Sequence, residues 1–104
     1  MQQADATHRW SDADDVAALY VYRFGLQGLA RSQSALAQAL GISAGSFGMR
    51  IQNVSFLATG SGLPNYAKRT ERIYAQHNAT PETKLRAIVV AAIQRRRSAS
   101  RRKQ

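Results

Sequence analysis

Ala35-Leu36-Ala37-Gln38-Ala39-Leu40-Gly41-Ile42-Ser43-Ala44-Gly45-Ser46-Phe47-Gly48-Met49-Arg50-Ile51-Gln52-Asn53-Val54 reads as helix, tight turn, helix. Leu36 and Leu40 lie one helical turn apart and mark a buried stripe. The small Ala37 and Ala39 let another helix approach. Gly41 accepts the positive φ that ends many helices, Ile42 plugs the turn, and Ser43 is a good N-cap for the second helix. Phe47, Ile51 and Val54 then recur at i, i+4, i+7 and define the inward side of that helix. This is the pattern of a helix-turn-helix, whose second helix can lie in the major groove of DNA. An ordinary helical hairpin has the same pattern, so charge has to be weighed with it.

The chain has 104 residues and a net charge of +9. Its length fits one small domain and its 44% hydrophobic content fits a folded one. With no cysteine, disulfides, thiolate metal sites and cysteine nucleophiles are excluded. Met1–Thr7 has neither a basic start nor an apolar run, so no secretory signal is expected there. The apolar run Ala87–Ile93 is too short to span a membrane, so no membrane partner is expected and a cytoplasmic or nucleoid location is. Six of the fifteen basic residues are Arg95, Arg96, Arg97, Arg101, Arg102 and Lys103. The nine basic and six acidic groups ahead of them leave a mildly basic body of net +3. A polyanion is the natural partner of such a tail, and a solubilising role is the alternative.

Worked outward, the pattern predicts an all-α domain of about five helices. Residues 1–9 form a disordered lead, residues 10–94 the helical domain, and residues 95–104 a disordered or frayed basic tail. Ser11 and Asp14 resemble a capping box at the start of a helix from Asp12 to Phe24. Asp12, Asp14 and Asp15 complement that helix's N-terminal dipole and make a poor metal site. Val16, Leu19, Tyr20 and Phe24 form its inner stripe. Ser32 or Ser34 caps the next helix. After the helix-turn-helix, residues 57–64 read as a loop, either a connector or a wing over DNA. A fourth helix is expected from about Tyr66 to His77, starting at Asn65. Thr80-Pro81-Glu82 then opens a fifth, with Leu85, Ile88, Val89, Ala92 and Ile93 facing inward.

Candidate contacts with DNA are set by chemistry. Arg suits the guanine O6/N7 edge, and Asn or Gln suits adenine N6/N7. Ser43, Gly45, Ser46, Arg50, Gln52 and Asn53 are therefore the expected contact residues of the second helix, with Arg50 and Asn53 as base readers. Arg50 could instead pair with a first-helix carboxylate, and Asn53 could satisfy a backbone group. A generic helix-turn-helix would present Ala44, Gly45, Gly48, Met49 and Gln52, which are poor in donors. The two helix-weakening glycines imply a late helix start or the close passage of a helix or of DNA. Met49 and Phe56 point away from the core direction, as a partner or second-copy contact would require. Lys68, Arg69 and Arg72 form a basic edge suited to phosphates or simply to water. Arg95, Arg96, Arg97, Arg101, Arg102 and Lys103 complete the phosphate set.

Trp10-Ser11-Asp12-Ala13-Asp14-Asp15, Met49-Arg50-Ile51-Gln52-Asn53-Val54-Ser55-Phe56-Leu57 and Gly62-Leu63-Pro64-Asn65-Tyr66-Ala67-Lys68 together resemble a small helical domain found at the N-terminus of HNH-type and restriction-associated proteins. The resemblance spans roughly residues 10 to 90 and implies a domain that accompanies DNA-acting enzymes. It does not import a nuclease, since His8 and His77 are the only histidines and no paired metal carboxylates appear. No nucleophile–base pair, metal cluster or cofactor loop can be assembled either, so neither enzymatic activity nor a cofactor is expected. The expected function is DNA binding by a regulator or a mobile-element accessory. A dimerisation or protein-interaction module, or an RNA-binding protein, is the alternative.

Overall fold

The computed structural model describes residues 10–102, the last three as backbone only. The expected N-terminal lead and Lys103 lie outside the described residues. The fold is all-helical: α1 (Asp12–Phe24), a 3-10 turn (Gln27–Leu29), α2 (Gln33–Leu40), α3 (Ala44–Thr59), α4 (Lys68–His77) and α5 (Glu82–Arg102).

The first helix is the axis of the domain. Its capping box forms as the sequence suggests: Asp14 N–H donates to Ser11 Oγ at 3.2 Å, and Ser11 N–H donates to the Asp14 carboxylate at 2.9 Å. Beyond the cap, every residue from Asp14 to Tyr20 is buried. The expected single stripe is therefore too narrow a description. α1 is enclosed because α3, α4 and α5 all pack on it, and Ala17 and Ala18 give them room to approach. Phe24, placed on the inner stripe by spacing, is 37% exposed and tilts against Tyr20 with ring centroids 5.3 Å apart. The deep core joins Leu19 and Tyr20 to Leu36 and Leu40 of α2, Phe47 and Val54 of α3, Ile73 of α4, and Leu85 and Val89 of α5.

Two ties fix the start of α5 against α1. The buried Tyr20 hydroxyl donates to the Glu82 carboxylate in the first turn of α5. Burial, and then this carboxylate, push its pKa above the ordinary tyrosine value. Arg23 donates to the carbonyls of His77 and Thr80, closing the α4–α5 corner.

α3 runs to Thr59, so residues 57–59 of the expected loop are helical, and two further boundaries differ from expectation. α4 begins at Lys68 rather than near Tyr66, and its N-cap Ala67 offers no side-chain acceptor. The cause is Asn53, which holds the carbonyls of Leu63 and Asn65 and so keeps that segment out of a helix. The second difference is the basic tail. Residues 95–102, expected to be disordered or frayed, continue α5 as one helix of 21 residues, about 31 Å long. No glycine or proline follows Pro81, arginine and alanine are good helix formers, and cations suit a helix C-terminus.

Candidate nucleic-acid interface

The helix-turn-helix forms from α2 and α3 with three residues between them. Ser32 is the serine that caps α2, accepting from Ala35 N–H at 3.1 Å. Gly41 closes α2 at φ 78° and ψ 24°, and Ile42 N–H returns to the Ala37 carbonyl at 2.9 Å. That six-residue bond defines a Schellman ending and needs the left-handed residue. Ser43 then caps α3, accepting from Ser46 N–H at 3.1 Å. Of the two serines expected at the interface, Ser43 is thus the half-buried cap residue and Ser46, also half-buried, supplies the backbone N–H that it caps. What they contribute is the fixed direction of α3.

α3 has two different polar sides. Arg50, on the inner one, donates to the fully buried Asp15 carboxylate at 2.5 Å, and its side chain is only 14% exposed. Its guanidinium also lies 3.9 Å above the centre of the Trp10 ring. Thr70 of α4 donates to the same Asp15 oxygen at 2.9 Å. One carboxylate therefore ties α1, α3 and α4. Asn53 is 6% exposed and donates to Leu63 O at 2.8 Å and Asn65 O at 3.2 Å. The expectation that Arg50 and Asn53 read bases is corrected on this geometry: both side chains are consumed inside the protein. Asn53 also ties down the loop that follows α3. The segment after Gly60 is strapped to α3, with Leu63 N–H donating to the Gln52 carbonyl at 3.2 Å. Gly62, at φ 132°, leaves no room for a Cβ, which would stand 2.6 Å from that carbonyl oxygen.

The outer side of α3 presents Ala44, Gly45, Met49 and Gln52 to solvent, with Gly48 half-buried. Met49 is 55% exposed. Phe56, expected to face outward, is instead half-covered by the Tyr66 ring, at a centroid distance of 6.2 Å. The glycines have no internal explanation. A Cβ on Gly45 would meet nothing within 4 Å, and one on Gly48 only the Gln33 amide nitrogen at an ordinary 3.6 Å. Neither has a positive φ. Among the described residues no neighbouring helix requires them.

The cations fall into two groups. On α4, Arg69 and Arg72 reach Asp12 at 3.1 Å and 2.8 Å. This pair of guanidiniums, led by the Arg72 hydrogen bond, holds the Asp12 carboxyl below the ordinary aspartate value. The expected basic edge is thus only partly neutralised, with one carboxylate facing two guanidiniums. Among the described residues, Lys68 alone of the three stands exposed without a carboxylate. The second group stands beside the helix-turn-helix. Arg96 lies so close to Gly41 that a Cβ there would collide with its guanidinium. Arg96 and Arg97 line one groove with Gln38, Ala39 and Gly41. Arg97 lines a second with Arg31 and Leu29. Arg95 turns to the opposite side of α5, next to Ala91 and Ser98. Among the described residues none of these four arginines has a carboxylate partner. Arg31 carries no sequence signal that distinguishes it: it is a lone cation between the 3-10 turn and the α2 cap, and only the packing of α5 brings it to Arg97.

Among the described residues, no group of three or more His, Asp or Glu side chains could hold a metal ion, and no helix is long and apolar enough to cross a membrane. Comparison of the chain with protein families, with curated proteins and with solved structures found no match.

Proposed function

We propose that this protein binds duplex DNA without catalysing a reaction on it, with the N-terminal half of α3 in the major groove and Arg31, Arg96 and Arg97 on the flanking phosphates. The observation that carries the reading is the position of Arg96 against the Gly41 turn. It sets positive charge with no carboxylate partner beside the start of α3, whose outer side is bare. In a helix-turn-helix complex the early residues of the second helix meet base edges, and nearby cations fix the register on the backbone. The resemblance to domains that accompany DNA-acting enzymes supports the same reading, in which the protein serves as a regulator or an accessory of a DNA-processing system in the cytoplasm or nucleoid.

Fluorescence anisotropy of a labelled duplex, titrated across a salt series, tests it. Replacing both Arg96 and Arg97 with alanine is expected to flatten the log–log salt slope by about 1.8, two phosphates at about 0.9 each. Replacing Arg69 and Arg72 leaves the slope nearly unchanged, because they stand on α4, which packs on α1 and α3, while Arg96 stands at the Gly41 turn. Equal losses from the two double variants would overturn the assignment, as would preferential binding of single-stranded or double-stranded RNA of the same length.

A further inference from the structure

We infer that α3 reads adenine–thymine pairs and not guanine, through Gln52 and Met49. This rests on the proposed insertion of α3 into the groove and adds the base class that it recognises.

The outer side of α3 lacks the side chains that read guanine. Guanine is read most often by arginine or lysine, bidentate to O6 and N7. Residues 44–59 hold a single cation, Arg50, and it is held by Asp15 and stacked on Trp10. Asn53, the other strong base reader by type, is turned to the loop carbonyls. What faces outward is Gly45, Met49 and Gln52, at i, i+4 and i+7, so they share one side across the first two and a half turns. A glutamine amide matches the N6 donor and N7 acceptor of adenine, and an apolar side chain matches the thymine methyl. Gln52 and Met49 lie one turn apart, which suits neighbouring base pairs in one groove. Gly45 and Gly48 keep the intervening surface flat where the fold itself would admit a methyl group, so the helix axis can sit deep enough for these two side chains to reach base edges. The nearby arginines supply affinity on phosphates and carry no base preference of their own.

The test compares two duplexes of equal length and identical flanks, one with an A·T core and one with a G·C core, at fixed salt. The wild-type protein is expected to prefer the A·T core by about tenfold or more, the discrimination of one good bidentate contact. Gln52→Ala should abolish most of that preference with little change in the melting temperature, since residue 52 is solvent-exposed. Gln52→Arg should shift the preference toward the G·C core. Deoxyuridine in place of thymidine removes the methyl group and should weaken wild-type binding while leaving Met49→Ala indifferent. Equal binding of both cores, with dependence on Arg96 and Arg97 intact, would overturn the base assignment and leave the DNA-binding reading standing. A preference that survives Gln52→Ala and Met49→Ala together would also overturn it, by locating discrimination in DNA shape. Failure to bind either duplex at low salt would remove both readings.

Discussion

The two sides of α3 differ in a way that side-chain type alone would invert. The inner side holds Arg50, the one cation of the helix, and Asn53, and uses them to join helices and strap a loop. The outer side holds Gly45, Gly48, Met49 and Gln52, and the fold leaves the Met49 and Gln52 side chains exposed and has no need of the two glycines. A charged donor finds the nearest buried acceptor long before any partner arrives, and the fold keeps it there because an unpaired buried charge is costly. The surfaces left for recognition are then the ones the core has no use for. The arginines repeat the contrast: Asp12 engages Arg69 and Arg72, whereas among the described residues no carboxylate engages Arg96 or Arg97.

The largest effect is expected at Arg50. Arg50→Ala strands the fully buried Asp15, one of whose oxygens already has no hydrogen-bond partner. Removing one member of such a buried pair typically costs about 3–5 kcal/mol, and Trp10 loses its stacked cation as well. Urea denaturation should show a loss of that size. If Arg50→Ala instead unfolds like the wild type and binds DNA less tightly, Arg50 belongs to the recognition side and the division of α3 is wrong.

Gly48→Ala probes the other side with the opposite sign. Alanine is favoured over glycine by about 1 kcal/mol in a helix interior, and the added methyl meets only an ordinary contact with Gln33. The variant should be more stable than the wild type, seen as a raised denaturation midpoint, while binding duplex DNA less well. The fold itself has room for a methyl group at this position, so the close passage of a partner is the account of the glycine that this variant tests. A variant that is more stable and binds equally well would remove that explanation.

The same physics decides what can be read from sequence. Signals are legible where the interaction spans three or four residues: the Ser11–Asp14 box, the Gly41 turn and the Ser43 cap all form where the sequence places them. The periodicity of Phe47 and Val54 marks the core side of α3 for the same reason. Partners separated by tens of residues carry no such mark. The pairing of Arg50 with a first-helix carboxylate can be named as an alternative, but once Asp14 is assigned to the cap nothing in sequence separates Asp12 from Asp15, and only packing selects Asp15. Arg31 is illegible, because its meaning depends on where α5 passes. The helical course of Arg95–Arg102 is hidden as well, since a run of like charges reads as disorder until the helix behind it is seen to be anchored by Leu85, Val89 and Ile93.

The smallest expected effect sharpens the contrast between the two arginine groups through pH. The Arg72 hydrogen bond outweighs the opposing effect of desolvation and, with the charge of Arg72 and the smaller help of Arg69, holds the Asp12 carboxyl below its ordinary value. A depressed carboxylate stabilises the folded state above its unfolded pKa, and that contribution is lost as pH falls through the lower folded value. The tie between α1 and α4 should therefore hold at neutral pH and fade in the acid range. Because the pair is well exposed, the change in stability should be a small fraction of that at Arg50. Asp12→Asn removes this acid limb from the denaturation midpoint measured against pH. It also releases Arg69 and Arg72 at neutral pH, and so gives the protein a second unpaired cationic edge. If α4 lies within reach of the duplex, the variant's salt slope steepens toward two further phosphates; if DNA meets only the helix-turn-helix and the end of α5, the slope stays at the wild-type value. The second outcome is the one expected, because α4 packs on α1 and α3, while Arg96 stands at the Gly41 turn.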